Sequence, residues 1–147
     1  MSNELIPDLP PIDQVGFVVE NLQQSVKMYE AFFGKFSIWD PTPIEAAHYR
    51  GELASCNLHI ATSQNGSLEI ELIQAVSGRS PHMEAAKLGK FGMHHVRYRI
   101  KEIEEYISAA KSYGYQVIWY KQWDEVTKFG YLERAEDPLI IEFLEMP

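Results

Sequence analysis

Gln14, Glu71, His95 and Glu142 are the residues of this 147-residue chain whose types and spacing can hold a divalent cation. Two carboxylates neutralise a 2+ ion, while an imidazole and an amide oxygen add neutral donors. An octahedral ion held this way keeps two positions for substrate or water. Alternation of side chains along strands puts Glu69, Arg97 and Arg99 on the same sheet faces. Arg97 suits an anionic substrate group or a pairing with Glu69 or another sheet acid, and Glu69 suits a second acid or a rim residue. The acids also fit a solvated sheet face, and a strand histidine also fits a satisfied structural role. Spacing adds weight to the cation reading. Gln14 precedes His95 by 81 residues and Glu71 precedes Glu142 by 71. The four are therefore two pairs at equivalent places in a doubled sequence, as a pseudo-twofold site requires.

The elements that must position them are doubled too. Residues 15–19 are a short β-rich run, and Asn21 is a good helix N-cap type. Leu22, Val26, Tyr29 and Phe33 then mark one face of a helix, with Gly34 placed as its terminator. Strands are expected around 36–39, 58–62 and 68–73, with an Asn65-Gly66 hairpin signal before the last. The second half repeats this order. A strand at 96–100 precedes a helix face of Ile103, Ile107 and Ala110, ended by Gly114. Strands follow around 117–120, 129–133 and 139–144. Gly34 matches Gly114, and Trp39 matches Trp119, at an offset of 80, whereas Glu71 matches Glu142 at 71. The nine-residue excess lies between Trp39 and Leu58 and is expected to be a longer loop. The predicted architecture is α+β, with two tandem βαβββ modules forming a curved mixed sheet around a cavity. Residues 1–11 read as an N-terminal arm and 12–147 as one domain. Within it module 1 spans about 12–76, a linker 77–92 and module 2 about 93–147. Ser80-Pro81 looks like a helix start inside the linker, and Leu88-Gly89 like its end.

Composition narrows the function classes. The hydrophobic content of 46% supports a packed interior. A net charge of −8 with no basic run argues against nucleic acid and anionic membranes as partners. The single cysteine, Cys56, reads as a small buried residue and fits a reducing, cytoplasmic setting. No apolar stretch approaches the ~20 residues of a membrane helix, and the acidic, proline-containing start is unlike a signal peptide. Trp119 and Tyr131, with Trp39, Tyr49, Trp123 and Phe129, are placed to wall a cavity or to pack the core. By alternation His94 points away from His95. His48 falls in the inserted loop, and spacing assigns His59 and His82 no part in chemistry.

The doubled βαβββ pattern resembles the vicinal oxygen chelate superfamily, which includes glyoxalase I, methylmalonyl-CoA epimerase, extradiol dioxygenases and bleomycin-resistance proteins. The resemblance runs from about Ile12 to Leu144. It rests on Ile12-Asp13-Gln14-Val15-Gly16, Leu68-Glu69-Ile70-Glu71-Leu72, Gly92-Met93-His94-His95-Val96 and Ile141-Glu142-Phe143. It implies Gln14, Glu71, His95 and Glu142 as ligands of one divalent ion, zinc, nickel, cobalt or manganese. The set is similar to that of animal-type glyoxalase I, whereas the stretch from Ser80-Pro81 to His95 looks more like an epimerase linker. Val18, Ala75 and Phe91 stand where glutathione-using members carry Arg, Asn and Arg, so a glutathione adduct is not the expected substrate. Gln14 stands where the dioxygenases carry a ligand histidine. The implied activity is that of a lyase, isomerase or epimerase. It moves a proton next to a carbonyl through an enolate that the metal stabilises, with Glu142 as base and Glu71 as the other candidate. The expected substrate is small and apolar or walled by aromatic side chains, with Arg97, Glu69, Trp119 and Tyr131 as contacts. A metal-free binding protein of the antibiotic-sequestering kind is the alternative, and a homodimer is expected in either case.

Overall fold

The computed structural model describes residue 6 and residues 8–147. Most of the expected arm, residues 1–5 and 7, lies outside the described residues, while Ile6 and Leu9 pack on the core beneath the third helix. The first half runs β1 (Gln14–Val18), α1 (Leu22–Phe33), β2 (Ser37–Ile38), β3 (Thr42–Tyr49), β4 (Glu52–Asn65) and β5 (Leu68–Gly78). A short helix α2 (Pro81–Lys87) links it to β6 (Gly92–Ile100), α3 (Ile103–Lys111), β7 (Tyr115–Gln122), β8 (Lys128–Arg134) and β9 (Asp137–Glu145).

Local chemistry sets the helix ends. The Asn21 side chain accepts the Gln24 N–H at 3.0 Å, satisfying one of the orphan donors of the first turn. Gly34 takes φ 85°, a left-handed conformation that costs a glycine little. Ser80 caps α2 by accepting the Met83 N–H at 3.1 Å, with Pro81 at the first turn. The α3 start has no side-chain cap. Instead, Glu145 from β9 accepts the Ile103 N–H at 2.7 Å.

The strands pair in the order β2-β4-β3-β7-β8-β9-β6-β1-β5, and β4 also pairs with β5. The sheet therefore closes on itself. The two modules meet at β1–β6 on one side, through five register pairs, and at β3–β7 on the other, through only His48↔Tyr120 and Tyr49↔Trp119. The inserted segment between Trp39 and Leu58 is not the loop the sequence suggested. β2 and β3 lie along the same edge of β4 in nearly continuous antiparallel register, from Ser37↔Thr62 to Tyr49↔Glu52, interrupted around Trp39–Pro41. Ile44, Ala47 and Tyr49 bury their side chains inside the closed sheet, and that burial outweighs the proline and small residues that read as loop.

Three clusters form the core. Val15, Val19, Leu22, Val26, Ile70 and Leu72 pack beneath α1. Ile100, Ile103, Ile107, Leu132 and Phe143 pack beneath α3. Inside the closed sheet lie Ile44, Leu58, Ile60, Ile73, Trp119, Tyr131 and Ile140. Each fully buried aliphatic side chain contributes roughly 1.5–3 kcal/mol. Among the described residues no helix is long and apolar enough to cross a membrane.

Candidate metal centre

His95 sits at the middle of the β1–β6 junction and is wholly buried. Its position depends on a missing side chain opposite. Gly16 is its register partner on β1, and a Cβ on Gly16 would lie 2.1 Å from His95 Cε1. Three oxygens converge on His95 Nε2: Glu71 Oε1 at 3.2 Å, Gln14 Oε1 at 3.3 Å and Glu142 Oε1 at 3.5 Å. They come from β5, β1 and β9, so both modules contribute. Glu69 orients Gln14 by accepting its amide Nε2–H at 2.6 Å, which turns Oε1 toward His95. The Tyr131 hydroxyl lies 3.5 Å from His95 Nε2 and 2.9 Å from His82 Nε2. Trp119 packs edge-on against Tyr131, ring centroids 4.9 Å apart.

Electrostatics match this burial. Loss of water pushes the Glu142 carboxyl up to about 7; Glu71 and Asp13 push the same way, while His95 and Arg97 oppose them. His94 is pushed down to about 3 by burial and then by His95, and His82 falls well below its ordinary value through burial, then His94, then His95. Both rings are therefore neutral at ordinary pH. Burial, Glu142 and Glu71 hold the Tyr131 phenol well above its ordinary value, so it keeps its hydrogen. A neutral His82 with its hydrogen on Nε2 donates to the Tyr131 oxygen and leaves only a bare lone pair on the unpartnered Nδ1. That is cheaper than an orphaned N–H, and it frees the phenol O–H for the site.

The donor set fits a divalent cation. Buried Glu142 and half-buried Glu71 put two carboxylates beside one imidazole, and an ion there would favour the ionised form of both. His82, His94 and His95 also offer ring nitrogens within 4.8 Å of one another. In that triad Tyr131 engages His82 Nε2, and the Nδ1 atoms of His94 and His95 lie at hydrogen-bond distance from each other, 2.9 Å. The mixed nitrogen and oxygen set around His95 Nε2 is the more open to an ion.

Other candidates lie elsewhere. Arg97 is gripped by Asp13 through two contacts of 2.9 and 3.2 Å, with Glu69 at 3.8 Å. Arg99 reaches the Pro147 carbonyl. His48 is exposed on β3 rather than in a loop. Cys56 is buried, its thiol pushed up to about 11 by burial, so it is not a nucleophile. His82 was invisible to spacing because its placement comes from the α2 start, whose capping turns it inward against Tyr131.

Alternation failed at His94. Gly16 pairs with His95 but Phe17 pairs with Met93, so His94 is an extra residue on β6. Such a bulge re-aims side chains, and here it brings His94 Nδ1 to 2.9 Å from His95 Nδ1 instead of turning it away.

Of the four donors only Glu71 is partly exposed, its side chain at 15%. Gln14, His95 and Glu142 are 1%, 0% and 7% exposed. A cavity of about 400 Å³ lined by Pro81, Lys90, Phe91, Met93, Ile140 and others reaches His94 from outside but stops short of the four donors.

A sheet built from two βαβββ halves, the first with β2 and β3 as one interrupted strand, and with candidate ligands contributed by both, defines a class that comparison identifies. The sequence matches the Glyoxalase/Bleomycin resistance protein/Dioxygenase superfamily over residues 13–131, and the chain belongs to that superfamily. No curated relative matches at the sequence level. A hypothetical protein of Bacillus halodurans is 21% identical with a TM-score of 0.67, covering 93% of this chain and 94% of that one. Methylmalonyl-CoA epimerase from Mycobacterium tuberculosis is 14% identical with a TM-score of 0.67, covering 99% and 94%. A Streptomyces coelicolor methylmalonyl-CoA epimerase variant in complex with 2-nitronate-propionyl-CoA is 15% identical with a TM-score of 0.59, covering 95% and 100%. At these identities the likeness is one of fold.

Proposed function

We propose that this protein is an epimerase or isomerase that moves a proton on a carbon next to a carbonyl, with one divalent metal ion held by Gln14, Glu71, His95 and Glu142. The carrying observation is the convergence of three side-chain oxygens within 3.2–3.5 Å of His95 Nε2 in a buried site. The fold shared with methylmalonyl-CoA epimerases supports the reaction class.

When bound, the ion supplies Lewis acidity that polarises a carbonyl oxygen and acidifies the adjoining C–H. The protein's own groups do the rest. Glu142 is the base: bound to an ion its basicity would be depressed, so it would take the proton only when displaced from the ion, into a buried setting that on its own pushes its carboxyl up to about 7. Glu71 is the second carboxylate within reach of the same point. The Tyr131 O–H, backed by His82, donates to a substrate oxygen. Ile60, Ile73, Trp119 and Phe129 exclude water and favour a compact apolar group. Val18, Ala75 and Phe91 supply none of the polar contacts a glutathione moiety would need.

Metal analysis of protein purified without chelator, repeated on His95→Ala and Glu142→Ala, tests this reading. We expect about one ion per chain, lost in both variants, and solvent deuterium exchange beside the carbonyl of acyl thioesters and keto acids. No ion after addition of zinc, nickel, cobalt or manganese would refute the enzyme reading in favour of metal-free sequestration.

A further inference from the structure

We propose that His94 is a positioning residue that sets which nitrogen of His95 carries hydrogen, an inference that rests on the metal-binding reading above. The two Nδ1 atoms lie 2.9 Å apart and both rings are buried, so one must donate to the other. To bind a cation, His95 must present a bare Nε2 to the point where the Gln14, Glu71 and Glu142 oxygens converge. A neutral His95 then carries its hydrogen on Nδ1 and donates it to His94 Nδ1. His94 in turn carries its hydrogen on Nε2. That atom is buried rather than open to solvent, and the Pro81 backbone beside the ring favours a hydrogen on it.

Without an ion the preferred arrangement reverses. His95 Nε2 faces three acceptor oxygens, so it carries the hydrogen there, and His94 Nδ1–H donates inward. Each arrangement keeps one hydrogen between the two Nδ1 atoms. His94 is thus a ring that either gives or takes the same hydrogen bond, and His95 Nδ1 is never left unpaired. The β6 bulge opposite Gly16 and Phe17 is what makes this possible, since regular alternation would turn His94 to the other face.

The test measures zinc and cobalt affinity by chelator competition for the wild type, His94→Phe and His94→Asn. An asparagine side-chain oxygen falls near the position of a histidine Nδ1 and can accept the same hydrogen bond. We expect His94→Phe to bind 10–100-fold more weakly, with His94→Asn restoring most of the loss. Equal affinity in all three overturns the inference, and so does an Asn variant as weak as the Phe variant, which would mean a packing role. Nitrogen-15 spectra of the histidine rings separate this failure from that of the metal reading. A wild type that binds no ion refutes the metal centre. A loaded wild type whose His95 carries no hydrogen on Nδ1 refutes the role of His94 alone.

Discussion

Gly16 carries as much of the site as the donors do, because the His95 ring occupies the space its side chain would fill. A Cβ there would meet His95 Cε1 at 2.1 Å and Nε2 at 2.2 Å. The strand backbone around Gly16 is paired on both sides, with β5 and β6, so the imidazole must yield. We expect Gly16→Ala to cost about 1–3 kcal/mol by overpacking, a fall of several degrees in Tm. Metal affinity should drop at least tenfold as His95 leaves the Glu71 and Glu142 oxygens. Unchanged affinity in a folded Gly16→Ala variant would contradict this geometry. Much at this scale was legible in the sequence. Alternation and the offsets of 81 and 71 put Gln14, Glu71, His95 and Glu142 on facing strands, and these four do meet at one point. His94 was not legible, because one extra residue in β6 reverses the parity and no residue type announces a bulge. Arg97 was read as open to either of two roles, and its bidentate contact with Asp13 depends on a pairing across strands that spacing does not reveal.

At the scale of elements, the helices were the most legible parts, since Asn21, Gly34 and Ser80 mark their ends chemically, whereas α3 is capped at Ser112, two residues before the Gly114 that the sequence suggested. β3 was missed because its edge is secured by tertiary contacts rather than by its own pattern. Those contacts also decide how the sheet opens. The seam between β3 and β7 has two register pairs and is clasped at one end by Arg50. Arg50 bonds Glu84 of α2 at 2.8 and 2.9 Å and Glu133 of β8 at 2.8 and 3.1 Å, while Tyr49 bonds Glu84. The guanidinium is over a third exposed, so solvent screening limits its worth to global stability. Its effect is local: it ties the β3–β4 turn to α2 and β8. We expect Arg50→Ala to lower Tm by only a few degrees while hydrogen exchange at residues 48–50 and 118–120 quickens at least tenfold. Exchange that quickens equally in β1 and β6 would show global loosening instead of an opened seam.

Over the whole molecule, closing two modules into one sheet buries titratable groups of opposite tendency, and their balance sets the pH response. His82 and His94 are held neutral by burial, His94 down to about 3, so on unfolding each takes up a proton below its ordinary value of 6.5. That contribution makes stability fall as pH drops through 6.5. Glu142 acts the other way. Its folded value of about 7 lies above its ordinary 4.5, so between these the folded chain holds a proton the unfolded chain releases. Its burial therefore penalises the metal-free fold most above pH 7, and the penalty fades as pH falls to 4.5. Below 6.5 two imidazoles oppose one carboxylate, and the fold weakens with acid. In chelator, Glu142→Gln should be more stable than the wild type at pH 8 by up to about 3 kcal/mol. The advantage should vanish near pH 4.5, leaving the variant with the steeper acid slope. Added zinc should reverse the ranking at pH 8, because the ion favours the ionised carboxylate and the glutamine binds it more weakly. Thermal melts of both proteins from pH 4.5 to 8, with and without zinc, decide the matter. If chelated Glu142→Gln melts no higher than the wild type at pH 8, the buried Glu142 carboxylate is already compensated by the protein's own groups, and the electrostatic case for a cation at His95 fails with that result.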